Sequence, residues 1–233
     1  FGAGTSGRLG ILDASECPPT FGTDPDLVQG IIAGGRPAVF RSQEGAEDVP
    51  EHGEQAMTEH GVGAADVVVG IAASGTTPFV RGALRRAVVL GARTIVIACT
   101  PIDEDLTASC DLAIVAITGP EVLTGSTRLK AGTATKMILN MLTTGAMIRW
   151  GKAWGNLMVD LQATNLKLKD RSERILVEVC GISRDDARTL LAAAGGRVKT
   201  AIVMRKLGVD RAAAERRLTD AEGRIRGIVP EKP

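Results

Sequence analysis

Tyrosine is absent from the 233 residues, and the only large rings are four Phe and two Trp. The core must therefore be built from Ala, Val, Ile and Leu. Histidine occurs twice, as His52 and His60, in a polar stretch with Glu51, Glu54 and Glu59. That pair reads as part of a solvated helix face rather than a metal site. The four cysteines, Cys17, Cys99, Cys110 and Cys180, form no C-x-x-C pair and have no regular spacing. Reduced thiols of a cytoplasmic protein are expected, with no metal centre and no redox cofactor. No apolar run, the stretch 66–73 included, approaches the roughly 20 residues of a membrane helix. Neither sign of charge dominates, with Lys+Arg 28 against Asp+Glu 27. The chain thus has no electrostatic footprint for nucleic acid or an anionic membrane, and a soluble globular protein is predicted.

What is present alternates. Four β-branched, apolar runs at 27–33, 66–72, 93–98 and 111–117 lack in/out alternation, as both-face burial in a parallel sheet requires. Helical patterns at 7–16, 44–59 and 77–90 separate them, which predicts a three-layer αβα sandwich. The chain opens at Phe1-Gly2 directly in a glycine-rich loop that normally follows a buried strand. It reads as a fragment whose first strand lies ahead of residue 1. After residue 120 the pattern is helical only. One long helix is predicted over 126–149, with Leu129, Met137, Ile138, Met141, Leu142 and Ile148 as its apolar face. A second is predicted over 156–180, then three short ones at 185–194, 198–207 and from Asp210 to about 225. The domain reading is 1–150, a connecting helix in 151–181, and a small three-helix domain over 182–233.

Three loops carry hydroxyls where an anion could bind. Gly2-Ala3-Gly4-Thr5-Ser6-Gly7 matches G-x-G-x-x-G, by itself a weak signal. A dinucleotide would need an acid at the end of the next strand, but Asp24 and Asp26 precede it and Gly34-Gly35-Arg36 follow it. Thr5 and Ser6 beside a helix start suit a phosphate, or simply cap the helix. The second loop holds Ser74, Gly75, Thr76 and Thr77, again between a buried strand and a helix, with no Walker lysine. Two such turns in one parallel sheet point to a single phosphate on a small molecule. The third, 124–133, offers Ser126 or Thr127 as a cap and Lys130 one turn on, as phosphate or sugar ligands or as a capped helix with a solvated lysine.

Two carboxylate groups are candidates for proton transfer. Pro18-Pro19 are expected to end the first helix, placing Glu16 in its final turn against the negative end of the macrodipole, an arrangement that suits a proton donor. Glu44 to Asp48 are expected to open the next helix, where the acids stay ionised and one could act as a base. Capping acids are the plainer reading there.

The runs Gly2 to Gly10 and Asp13-Ala14-Ser15-Glu16-Cys17-Pro18-Pro19-Thr20 resemble the signature of the N-acetylmuramic acid 6-phosphate etherases. So do Ile32-Ala33-Gly34-Gly35, Glu44-Gly45-Ala46-Glu47-Asp48, Gly70 to Gly75, Thr124 to Thr133 and Gly155 to Asp160. The resemblance spans nearly the whole chain. It implies a sugar-isomerase (SIS) fold, a ubiquitin-associated-like helical tail, and a homodimer. It further implies cleavage of the lactyl ether of N-acetylmuramate 6-phosphate in peptidoglycan recycling, by elimination and then hydration, with no cofactor. The catalytic pair maps onto Glu16 and Glu47, with Glu16 assigned as acid and Glu47 as base, and the reverse or a shared role left open. Thr5, Ser6, Ser74, Gly75, Thr76 and Thr77 would hold the 6-phosphate, with Ser126 and Lys130 closing the pocket. An aldose–ketose phosphosugar isomerase would share the fold and loops but need only proton shuttling between C1 and C2, whereas a non-catalytic phosphosugar sensor would keep the loops and dispense with the acid pair.

Overall fold

The computed structural model describes residues 1–161, 163 and 165–229. Its contacts divide into two compact units: Phe1–Ser15 with Val28–Met141, and Glu16–Leu27 with the chain from Leu142 on.

In the first unit, β1 (Val67–Ile71), β2 (Arg93–Ala98) and β3 (Leu112–Val115) form a parallel sheet in the order β1-β2-β3. Val67 pairs with Arg93, and Ile95 with Leu112. The unit's helices are α1 (Gly4–Phe21) up to Ser15, α2 (Gly35–Phe40), α3 (Pro50–Glu59), α4 (Pro78–Val89), α5 (Glu104–Ala108), and α6 (Lys130–Arg149) up to Met141. A Cβ built on Gly70 would lie 2.7 Å from Leu84 of α4, and one on Gly10 of α1 would lie 3.3 Å from the Cδ1 of Ile71. Neighbouring strand residues face opposite sides, so α4 and α1 cover opposite faces and the αβα layering is present. Met57, Val80, Leu84 and Val96 are fully buried in the core against α4. The few rings are replaced by close backbone packing of this kind.

The segment 27–33 corrects the expected first strand. Only Ile32 is in a bridge, to Gly2, which bridges Ile71 on its other side. Gly2 donates to Ile31 O and accepts from Ala33 N, both at 3.0 Å, and Ile71 N donates to Phe1 O at 2.8 Å. Residues 25–28 are turn and bend instead, and a Cβ on Gly30 would stand 2.5 Å from Ile11 Cα, so the stretch runs against the backbone of α1. The predicted apolar face of α6 is also corrected. Ile138, Leu139 and Met147 are buried, whereas Met137, Met141 and Ile148 are each more than half exposed.

The second unit begins differently from expectation. No helix starts at 156: β4 (Ala153–Trp154) and β5 (Leu157–Met158) form an antiparallel hairpin around Gly155, whose φ is 58°. Helix α7 spans only Leu166–Cys180, where Asn165 accepts from Leu168 N and sets its start. α8 (Arg184–Ala193), α9 (Val198–Leu207) and α10 (Arg211–Asp220) follow close to the expected limits. Trp154, Val159, Leu176, Ile202 and Ala214 belong to one core shared by hairpin and helices. Lys199 is buried in it, bonded to Asp160 (2.5 Å) and to Gly223 O (2.8 Å), while Lys152 also reaches Asp160 (3.4 Å). No helix among the described residues is long and apolar enough to cross a membrane.

Candidate functional site

Ile32, Gly2 and Ile71 occupy adjacent parallel positions, so the chains leaving them emerge at the same, carboxyl-terminal edge of the sheet. The glycine run after Gly2 is there for packing. A Cβ on Gly2 would stand 2.7 Å from Gly7 N, and one on Gly7 2.6 Å from Ile32 and 2.8 Å from Gly2 O. Gly4 starts α1 with φ 50°. Thr5 and Ser6 are consequently inside the first turn rather than capping it, and the first N–H groups of α1 have no partner within the helix. Such a terminus attracts an anion.

The second hydroxyl loop leaves the neighbouring strand. Ser74 Oγ and Thr76 Oγ1 are 2.8 Å apart and both residues are exposed. Gly75 turns with φ 69°, and Thr77 precedes α4 without using its hydroxyl as a cap. The third loop approaches the first, since a Cβ on Gly132 would lie 3.6 Å from Thr5 Cγ2. Its expected cap is corrected. Helix α6 starts at Lys130, and it is Glu121 that accepts from Lys130 N (3.0 Å) and Ala131 N (2.9 Å). The Ala131 N–H above all, with that of Lys130, holds the Glu121 carboxyl below the usual range. Ser126 lies in the turns ahead of the helix, and Lys130 Nζ donates to Thr118 O at 2.8 Å.

Beside the start of α1 is a cavity of about 260 Å³, lined by Ala3, Gly4, Arg8, Ala33, Ala38 and the segment 42–47. That approaches the roughly 300 Å³ at which small-molecule sites begin. Glu47 lines it; the other predicted ligands do not. The segment Glu44–Asp48 corrects the expectation of a helix start, for it is a turn with Gly45 at φ 71°. Pro50 is the reason: it fixes the first helical position of α3 and holds Val49 extended at φ −105°. Glu47 O accepts from Phe79 N at 3.0 Å, which anchors the turn to α4.

Glu16 requires a larger correction. α1 continues through Pro18 and Pro19 to Phe21, against the missing amide and ring clash of an interior proline, and Gly22 N still donates to Pro18 O at 2.9 Å. Glu16 is therefore interior to the helix, not at its negative end. It is exposed, groups with the second unit, and does not line the cavity. Among the described residues, neither Glu16 nor Glu47 forms an ion pair.

Arg8 was not singled out from sequence. It is the one cation lining the cavity, its Nε donates to Val39 O (2.8 Å) near the end of α2, and it pairs with neither Glu44 nor Glu47. Its spacing, one turn after Gly4 on a helix starting at the glycine loop, was the available signal.

The family model for the glucokinase regulatory protein N-terminal SIS domain matches residues 1–88, a span that includes the whole cavity lining. Over 226 residues the chain is 53% identical to an N-acetylmuramic acid 6-phosphate etherase of Prochlorococcus marinus (strain MIT 9303), covering 97% of this chain and 71% of that one. A protein of the same name from Salinibacter ruber is 55% identical over 229 residues, covering 98% and 73%. One from Synechocystis is 52% identical over 232 residues, covering 100% and 76%.

Proposed function

This chain belongs to the N-acetylmuramic acid 6-phosphate etherase family, and on that footing we propose that it cleaves the D-lactyl ether at C3 of N-acetylmuramate 6-phosphate. The products are N-acetylglucosamine 6-phosphate and D-lactate. In the ring-opened sugar the C1 aldehyde acidifies the C2 proton, which a positioned carboxylate can remove. Glu47 takes that proton, the C2–H electrons form the C2–C3 double bond, and the C3–O bond breaks. Glu16 gives a proton to the departing lactate oxygen. Water then adds, hydroxyl to C3 and proton to C2, so the balance closes with water as the sole co-reactant.

The carrying observation is the position of Glu47 in a cavity whose wall is the start of α1. Thr5, Ser6, Ser74, Gly75, Thr76 and Thr77 hold the 6-phosphate at the shared sheet edge, with Ser126 and Lys130 closing over the sugar. The enzyme acts as a cytoplasmic homodimer in peptidoglycan recycling. The match of residues 1–88 to a regulatory protein's domain supports a second reading, a phosphosugar sensor without turnover. Incubation with N-acetylmuramate 6-phosphate and assay of D-lactate decides between them. Glu47→Ala is expected to abolish lactate release while N-acetylglucosamine 6-phosphate still binds; lactate release at the wild-type rate by that variant refutes the assignment of Glu47.

A further inference from the structure

The loop after β1 is held from beneath. Arg81, in the first turns of α4, donates from Nε to Gly75 O at 2.9 Å, and its terminal nitrogen pairs with Asp103. Asp103 itself accepts from Leu106 N (2.8 Å) at the start of α5, and the Arg81 guanidinium holds its carboxyl below the ordinary carboxylate range. A Cβ on Gly75 would fall 2.5 Å from Ile102, so the segment before Asp103 packs directly against the loop. Carbonyl, guanidinium and carboxylate form one continuous brace.

A peptide group is planar and trans, so the Gly75 carbonyl and the Thr76 N–H point in opposite directions from one plane. On that opposite side the Thr76 N–H donates to Ser74 Oγ at 3.3 Å, and the Ser74 and Thr76 hydroxyls are 2.8 Å apart, so the brace acts on the groups that carry both hydroxyls. We infer that Arg81 is a positioning residue for the substrate's phosphate, holding the Ser74 and Thr76 hydroxyls in place by pinning the Gly75 carbonyl between them. This rests on the reading of Ser74–Thr77 as the phosphate loop.

The test uses the full chain, D-lactate release, and inorganic phosphate as a competitive inhibitor. Arg81→Ala raises both KM and the phosphate inhibition constant about tenfold, the worth of roughly one charge-assisted hydrogen bond. It leaves kcat within a small factor of wild type. Asp103→Asn keeps the cation and loosens its hold, so it moves the same two constants in the same direction by less. Unchanged KM and inhibition constant in both variants overturns the inference, as does a loss of kcat alone. Ser74→Ala tells the two failures apart. Raised constants there with none in Arg81→Ala refute the brace only, whereas wild-type constants in Ser74→Ala refute the phosphate reading and the brace with it.

Discussion

Gly82 lies in the interior of α4, where alanine ordinarily gains about 1 kcal/mol over glycine. Here the sign reverses. A Cβ on Gly82 would stand 2.0 Å from Pro50 O and 2.7 Å from Pro50 C, while one on Gly53 of α3 would stand 2.0 Å from Phe79 O. The two helices meet backbone to backbone, so no side-chain rotation relieves the clash, and α3 must retreat by about 1 Å to restore ordinary contact distances. Overpacking of this kind costs roughly 3 kcal/mol at the upper end of its usual range. Set against the propensity gain, the net loss for Gly82→Ala is about 2 kcal/mol. The effect does not stop at stability. Pro50 follows the Glu47 turn, and Glu47 O is tied to Phe79 N of α4, so parting α3 from α4 pulls that turn from both ends. A displacement near 1 Å lowers kcat by up to about a hundredfold. Urea unfolding followed by circular dichroism, alongside D-lactate release, measures both. Gly145→Ala is the control, because nothing lies within 4 Å of its Cβ position, and it gains stability. Should Gly82→Ala behave like Gly145→Ala, the contact reasoning fails.

Arg8→Ala removes the one cation from the cavity lining and is expected to raise KM for the phosphosugar at least about tenfold, read by initial rates. Asp160→Asn leaves the Lys199 ammonium buried without its counter-charge and costs about 3 kcal/mol in urea unfolding, more than Lys199→Met, after which Asp160 keeps Lys152. Equal losses would dismiss that ordering. Burial pushes the thiols of Cys110 and Cys180 up, so less thiolate is present near neutral pH. Their iodoacetamide labelling in the native protein should be slower than that of a free thiol and should accelerate as pH rises; mass spectrometry of the labelled chain reads both.

Local signals carried far where the physics is local. Continuous β-branched runs located β2 at 93–98, and Ser183 three residues before Asp186 marked the start of α8, where its hydroxyl does accept from Asp186 N. Gly195-Gly196 marked the end of α8, and Gly208, in the left-handed region at φ 64°, that of α9. Tertiary facts were out of reach. Nothing near Lys130 in sequence says that a carboxylate nine residues earlier, Glu121, takes the cap from Ser126. The stretch 27–33 has strand composition, yet it opens in a turn and only Ile32 enters a bridge. Two prolines read as a stop, and α1 passed through both. For the candidate site, sequence found the loops that share a sheet edge, while the choice of Glu47 among Glu44 to Asp48 came from the family resemblance and not from the local pattern. It overlooked Arg8, whose place in the cavity depends on the carbonyl of Val39, thirty-one residues away.

The glycines at 2 and 7 sit where any larger residue would strike backbone or Ile32. Descendants of such a chain that abandoned turnover altogether would still have to retain them, since folding, not chemistry, forbids their replacement. Genome surveys keyed to that glycine signature will gather architecture indiscriminately, and under the mechanism proposed above the acid at position 47 is the character by which to sort them.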